Sequence, residues 1–168
     1  MSTSETEKET QFDAVYNELF DDVYAYFHVC FGEQAAEDLA QEAFLRVWRA
    51  VDSGKIPDNW RAWVFRCAVN LKNDFLRRKY AESGVQSFET AVLPASAPPD
   101  EGETLAVKNA LSSLTGTDRE VLTLKSMGFT SDEIGELLSI SGSAVRTRLQ
   151  KAKQNFQNAL ETEGVKHG

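Results

Sequence analysis

The chain has 168 residues, 42% of them hydrophobic and 26% charged, and a formal net charge of −8. That is material for one ordinary domain or two small ones of a soluble globular protein. The longest uncharged apolar run falls far short of a membrane span, and the polar, acidic opening MSTSETEKETQ has no apolar centre that would make it a secretion signal. Cys30 and Cys67 fall in predicted helices without CxxC or clustered histidine, so the expectation is two buried thiols in a reducing cytosol, with no metal or cofactor.

Residues 1–11 are expected to be disordered. From Phe12 to Cys30 the apolar residues Phe12, Val15, Tyr16, Leu19, Phe20, Val23, Phe27 and Cys30 recur at three- and four-residue spacing, which predicts a first helix. Gly32 breaks it. A second helix over 33–51 is predicted to bury Ala36, Leu39, Ala40, Ala43, Phe44, Val47 and Trp48. Its outer stripe is Glu37, Asp38, Gln41, Glu42 and, unexpectedly for an exposed position, Leu45. The stretch DSGKIPDN (52–59) is a loop by its Gly, Pro, Asp and Asn content.

A third helix is predicted over 60–80, with Trp63, Val64, Cys67, Ala68, Leu71 and Phe75 on its core side. Arg61, Arg66, Lys72, Arg77, Arg78 and Lys79 fall on a basic side, interleaved with Trp60, Phe65 and Asn70. Cations, rings and an amide together suit single-stranded nucleic acid: charge for the backbone, rings for stacking, hydrogen bonds for base edges. Residues 81–104 hold three of the four prolines, five acids and no base, which reads as a flexible interdomain linker. Beyond it come a helix over 105–114 and another over 118–127, with Val121, Leu122 and Leu124 inside and Thr117 as N-cap.

The stretch from Thr130 to Lys153 reads as two short helices joined by a tight turn. Ile134, Leu137 and Leu138 form the apolar face of the first, and Gly135 beside it would let another helix come close. Ile140 marks the turn and Ser141 is placed to cap the next helix. That helix buries Val145, Leu149 and Ala152 and shows Arg146, Arg148, Lys151 and Lys153, with no acid between Gly142 and Phe156. A helix-turn-helix offers its second helix to the major groove in this way. An amphipathic hairpin with a solvated basic face is the plainer alternative, but the spacing, the short turn and four cations in an acidic chain weigh against it.

The acidity is unevenly placed. Residues 12–50 carry eight acids and two bases, 51–80 three acids and seven bases, 81–104 five acids alone, and 105–168 seven acids and eight bases. Alternating blocks suggest one basic partner and one polyanion. Such a chain is expected to bind DNA poorly alone, because its acidic parts repel the phosphates that its basic parts attract.

From Phe12 to about Leu160 the chain resembles the extracytoplasmic-function group of bacterial RNA polymerase sigma factors. AEDLAQEAFLRVWRA (36–50) is similar to the family's region 2.2. NWRAWVFRCAVNLKNDFLRRK (59–79) is similar to regions 2.3 and 2.4, with Trp63, Asn70, Asp74 and Arg77-Arg78 at characteristic places. Residues 111–153 resemble region 4. The resemblance implies an all-α fold of two small helical domains: region 2 over 12–80 and region 4 over 105–161, with the acidic linker between them and a disordered tail over 162–168.

The resemblance also implies roles. Asp38, Gln41, Glu42 and Leu45 would dock on the clamp helices of the polymerase's largest subunit, and region 4 on its flap. Asn59, Trp60, Asn70, Arg77, Arg78 and Lys79 would open and hold the −10 element of promoter DNA. Ser143, Arg146, Thr147, Arg148 and Lys151 would read the −35 element as duplex, and the acidic linker would thread the RNA exit path. An anti-sigma factor that clamps or wedges between the domains is expected. Ser139 stands where the family usually has a turn glycine, Ala144 replaces a common threonine, and Gln150, Lys151 and Lys153 replace a run richer in arginine and histidine. Lysine lacks arginine's two-pronged base contact, so −35 sequence preference does not transfer.

A stand-alone helix-turn-helix regulator is the second reading; it predicts tight duplex binding by the isolated protein and a dimer on paired half-sites. An enzyme has almost no support: His28 and His167 are the only histidines, and no nucleophile, phosphate loop or metal spacing lies near either.

Overall fold

The computed structural model describes residues 2–83 and 105–167, and these form seven helices with no strand among them. Three long helices, α1 (Ser2–Phe31), α2 (Glu33–Asp52) and α3 (Trp60–Ser83), build the N-terminal half. Four more, α4 (Leu105–Ser112), α5 (Gly116–Ser126), α6 (Ser131–Leu138) and α7 (Gly142–His167), build the C-terminal half, with α4, α5 and α6 all packed on α7. The expected linker over 81–104 lies almost wholly outside the described residues, since only its first three positions are seen, as the end of α3.

Both ends differ from expectation. Residues 2–11 continue α1 rather than forming a disordered segment, and α7 runs to His167 where a disordered tail was expected. The N-terminal stretch carries Glu5, Glu7, Glu9 and Lys8, which are good helix formers and acidic near the positive end of the helix dipole. The Thr10 hydroxyl donates back to the Thr6 carbonyl at 2.8 Å. The same residues read as solvated coil because nothing apolar marks a face there.

α1 and α2 pack through a layer of rings. Phe44 of α2 sits among Phe12, Tyr16 and Phe20 of α1, with the Tyr16 centroid 5.0 Å away and edge-on, and Phe12 meets Trp48 at 5.1 Å. The chain reverses between the two helices at Gly32, whose φ of 92° only glycine adopts freely. Val15, Leu19, Val23, Phe27 and Cys30 are buried as the spacing predicts, as are Ala36, Leu39, Ala40, Ala43, Phe44 and Val47, with Trp48 half-buried. Tyr26 is also buried, although the periodic reading left it out. Burial pushes the Cys30 thiol well above its ordinary range, so it packs as an apolar group.

α3 departs most. Val64, Ala68 and Leu71 are buried and Trp63, Cys67 and Phe75 half-buried, but Phe65 and Lys72, read from sequence as part of the nucleic-acid face, are also inside. The reason is a second neighbour: α3 packs on α2 along one side and on α6 along the other. Phe65 stands edge-on to Phe129 at 5.0 Å and to Tyr26 at 6.1 Å, so the two halves share one continuous core.

The caps explain the short helices. Thr115, not Thr117, caps α5: its hydroxyl accepts from the Asp118 amide at 3.3 Å, and Thr117 is buried one position inside the helix. Thr130 and Glu133 form a reciprocal capping box on α6, the hydroxyl accepting from the Glu133 amide at 3.1 Å and the carboxylate from the Thr130 amide at 2.8 Å. That main-chain amide, with the hydroxyl, holds the Glu133 carboxyl below its usual range. Thr130→Ala is expected to cost about 1 kcal/mol, read as a lower melting temperature. The amide of residue 130 remains in that variant, so Glu133→Gln is the test of pH: a depressed carboxyl stabilises above its unfolded pKa, and the difference between Glu133→Gln and the parent should shrink as pH falls through the lowered folded value.

Candidate nucleic-acid and polymerase interface

Three separate surfaces carry the residues singled out from the sequence. On α2, Asp38 and Gln41 are exposed, Glu42 is half-buried and Leu45 is 41% exposed, all on the side away from the ring layer. The packing that buries Ala40, Ala43, Phe44 and Val47 leaves this stripe outward by helical geometry. Leu45 and Ile56 are the two large hydrophobic side chains most exposed among the described residues, and Leu45 lies within the acidic stripe. An apolar group ringed by acids is ordinary chemistry for a contact with a basic partner surface.

α3 carries the second surface, spread along its length. Asn59 caps the helix, its side-chain oxygen accepting from the Ala62 amide at 3.1 Å. Trp60 is half-buried with its ring 5.9 Å from Trp63. Asn70, Arg77, Arg78 and Lys79 are exposed. From Asn59 to Arg77 the rise along the helix is roughly 27 Å, so these groups track an extended ligand rather than enclose a small one.

Near the end of α3, Asp74 lies between two guanidiniums. Arg46 of α2 is 3.3 Å from one carboxylate oxygen and Arg77 holds the other. Arg46 also meets Glu42 at 3.6 Å. Arg46, Asp74, Arg77 and Arg78 line an open groove of about 520 Å³. Arg46 was not found by sequence reasoning, because it falls on the inner edge of the acidic stripe and joins the basic run only through the α2–α3 packing.

The third surface is on α7. Val145, Leu149 and Ala152 are buried, while Ser143, Arg146, Thr147, Lys151 and Lys153 are exposed along one side. Arg148 is half-buried and stands on the flank of that side, about 100° of helical rotation per residue placing it nearer the buried stripe. The Ser141 hydroxyl caps the helix by accepting from the Ala144 amide at 3.0 Å. Gly135 does admit a close neighbour, but it is the turn, not another helix: a Cβ there would lie 2.5 Å from the Ile140 carbonyl oxygen. Ser139 takes the left-handed conformation, φ 61°, that its replaced glycine would adopt without strain.

The two halves meet over the first part of α3. Arg61 stacks over Phe129 at 4.8 Å and donates to the Met127 carbonyl, and Arg66 donates to the Glu136 carbonyl at 3.1 Å. Asn59, Trp63 and Arg66 form one wall of a cleft of about 290 Å³, and Glu133, Glu136 and Leu137 of α6 form the other. Among the described residues no group of acids, cysteines and histidines could hold a metal ion, and no helix is long and apolar enough to cross a membrane.

Comparison with known proteins agrees with this layout. Residues 15–82 match the family model of sigma-70 region 2, and residues 104–156 match that of sigma-70 region 4. The chain is 30% identical over 140 residues to the extracytoplasmic-function RNA polymerase sigma factor SigW of Bacillus subtilis, covering 74% of this chain and 75% of that one. It is 32% identical over 136 residues to RfaY of Xanthomonas campestris, named as a probable RNA polymerase sigma factor, covering 75% of this chain but only 34% of that longer relative. In fold it is similar to the sigma factor RpoE of Bartonella quintana, solved in complex with the anti-sigma factor NepR, with a TM-score of 0.75 at 21% identity over 90% of this chain and 97% of that one. The chain belongs to the sigma-70 family of RNA polymerase sigma factors, in its extracytoplasmic-function group.

Proposed function

We propose that this protein is a promoter-specificity subunit: it binds bacterial core RNA polymerase, brings it to promoters, helps open the −10 element and does no chemistry of its own. The observation that carries the reading is the segregation of surfaces, an acidic stripe with an exposed leucine on α2 set apart from cationic faces on α3 and α7. Asp38, Gln41, Glu42 and Leu45 dock on the clamp helices of the largest subunit. Arg77, Arg78 and Lys79, with Asn59, Trp60 and Asn70, hold the melted −10 strand, and Ser143, Arg146, Thr147, Arg148 and Lys151 lie on the −35 duplex while region 4 rests on the flap. Strand opening requires captured bases and a neutralised backbone, for a few kcal/mol per base.

The work is done in the cytoplasm, where the polymerase is. An anti-sigma factor restrains the protein, a reading supported by the fold it shares with RpoE of Bartonella quintana, which was solved bound to NepR. The acidic linker over 81–104 joins the two domains through the RNA exit path.

Purified protein and core enzyme test this directly. Asp38→Lys with Glu42→Lys sets like charges against the docking surface, which costs several kcal/mol, so core binding should fall by well over tenfold. Arg77→Ala with Arg78→Ala should leave core binding intact, weaken promoter opening and lower the salt dependence of promoter binding by about two phosphate contacts. If the protein ignores core enzyme and binds duplex sites alone as a dimer, the stand-alone regulator is the correct reading.

A further inference from the structure

Beside the Phe65–Phe129 contact, the two halves meet through polar groups of one seated on polar groups of the other. Lys72 of α3 lies 2.6 Å from a carboxylate oxygen of Glu120 on α5, with side chains only 5% and 3% exposed. Tyr26 of α1, fully buried, donates its hydroxyl to the same oxygen. Burial first, then the neighbouring Glu120 charge, pushes the Tyr26 hydroxyl well above its ordinary range. So one carboxylate from the C-terminal half is held by a cation and a phenol from the N-terminal half.

Three arginines add a second pattern. The last turn of a helix leaves carbonyls with no partner inside that helix. Arg119 of α5 donates to Val29 near the end of α1 at 3.1 Å, Arg66 of α3 donates to Glu136 near the end of α6 at 3.1 Å, and Arg61 of α3 donates to Met127, the C-cap of α5. Each guanidinium satisfies a helix end of the opposite half, where cations are favoured. The contacts run in both directions across the boundary.

The consequence falls on α3. Arg61 and Arg66 belong to the basic side that a single strand would use, and both are engaged with main-chain carbonyls of the C-terminal half. Trp63 and Asn59 face Glu133 and Glu136 across a narrow cleft, so a phosphate entering there meets an acidic wall. The α2 stripe and the exposed face of α7 lie outside this contact.

We infer that the protein rests closed, with Glu120 latched by Lys72 and Tyr26, and that the first half of α3 becomes available to a melted strand only when this latch releases. A buried ion pair suits such a device: desolvation cancels much of its attraction, but removing either partner leaves the other charge buried and uncompensated, so the closed arrangement depends on both. The inference about strand access rests on the promoter reading above. The closed state itself does not.

The test uses the full chain and two variants, Glu120→Gln, which keeps shape but removes the charge, and Tyr26→Phe, which removes a single hydroxyl and leaves the ring. Small-angle scattering of the parent should give a radius of gyration near the ~15 Å of a compact chain of this size. Both variants should scatter as larger particles while keeping helical circular dichroism, Glu120→Gln the more so. With core polymerase and a promoter, Glu120→Gln should reach half-maximal opening at about tenfold lower protein concentration, because a larger share is already competent.

An extended parent, or folded variants as compact as the parent, would overturn the closed state. Expansion without a gain in promoter opening would overturn the autoinhibition. Should Glu120→Gln fail to fold, Tyr26→Phe decides, with a smaller shift of the same sign. If neither parent nor variants open any promoter, the functional reading fails, and scattering still decides the latch.

Discussion

Phe44→Ala should lower global stability by about 3–5 kcal/mol, the cost of deleting a large buried ring whose surroundings cannot close over the space. Phe44 is 2% exposed and lies within 6.4 Å, centroid to centroid, of the rings of Phe12, Tyr16 and Phe20. All three come from α1, so the cavity would open along the main seam of the N-terminal half. A domain with roughly 5–15 kcal/mol of stability loses a large part of it. The neighbouring acidic stripe, Asp38 to Leu45, is displayed outward because this side of α2 is pinned inward. Core-polymerase binding should therefore weaken with the folded fraction, although no residue of the proposed docking stripe has changed. Phe44→Leu, which keeps most of the volume, should lose far less. Denaturant titration reads the stability and a core-binding titration reads the function. Equal melting of Phe44→Ala and the parent would mean that the α1–α2 seam is not held by these rings.

Where the buried residues of a helix form one stripe, the sequence is readable. α2 shows this: Ala36, Leu39, Ala40, Ala43, Phe44 and Val47 recur at helical spacing, lie inside, and leave Leu45 visible as the residue out of place. α3 shows the limit. It is packed on two sides, so its apolar residues have no single stripe, and Phe65 was read as a ring for stacking when it lies between Tyr26 and Phe129. Lys72 falls by spacing on the basic side, but its partner, Glu120, is 48 residues away in the other half of the chain. No local pattern announces such a pair; only the docking of α5 on α1 brings it together. The groove cation Arg46 was missed for the same reason, since its link to Asp74 crosses from α2 to α3. The cap of α5 lies at Thr115, two residues before the Thr117 expected from the sequence, and an offset of one or two residues is inherent in reading caps from spacing. The three surfaces were legible as chemistry; what they do to one another in the folded chain was not.

Gly135→Ala should destabilise the C-terminal half by roughly 1–3 kcal/mol even though alanine is the better helix former. The added methyl would lie 2.5 Å from the Ile140 carbonyl oxygen and 3.2 Å from both the Gly142 nitrogen and the Ser141 carbonyl carbon. All three are main chain. They cannot swing aside, and the Ile140 amide is already tied to the Gly135 carbonyl at 2.9 Å. The turn would have to lift off α6, tilting α7 and with it Arg146, Thr147 and Lys151. Gly142→Ala is the control. Its methyl would meet the side chain of Asp132, which is 82% exposed and free to rotate away, breaking an exposed pair with Arg146 of small value. Ser139→Gly should act in the opposite direction and stabilise by up to about 1 kcal/mol, since Ser139 sits at φ 61°, a conformation that costs an L-residue about that much. Thermal melts of the three variants should therefore order Ser139→Gly above the parent, Gly142→Ala near it and Gly135→Ala below. Affinity for a −35 duplex, measured in the polymerase complex, should drop only for Gly135→Ala. A Gly135→Ala protein that melts with the parent would show that the turn is loose enough to yield, and that the angle of α7 is set elsewhere.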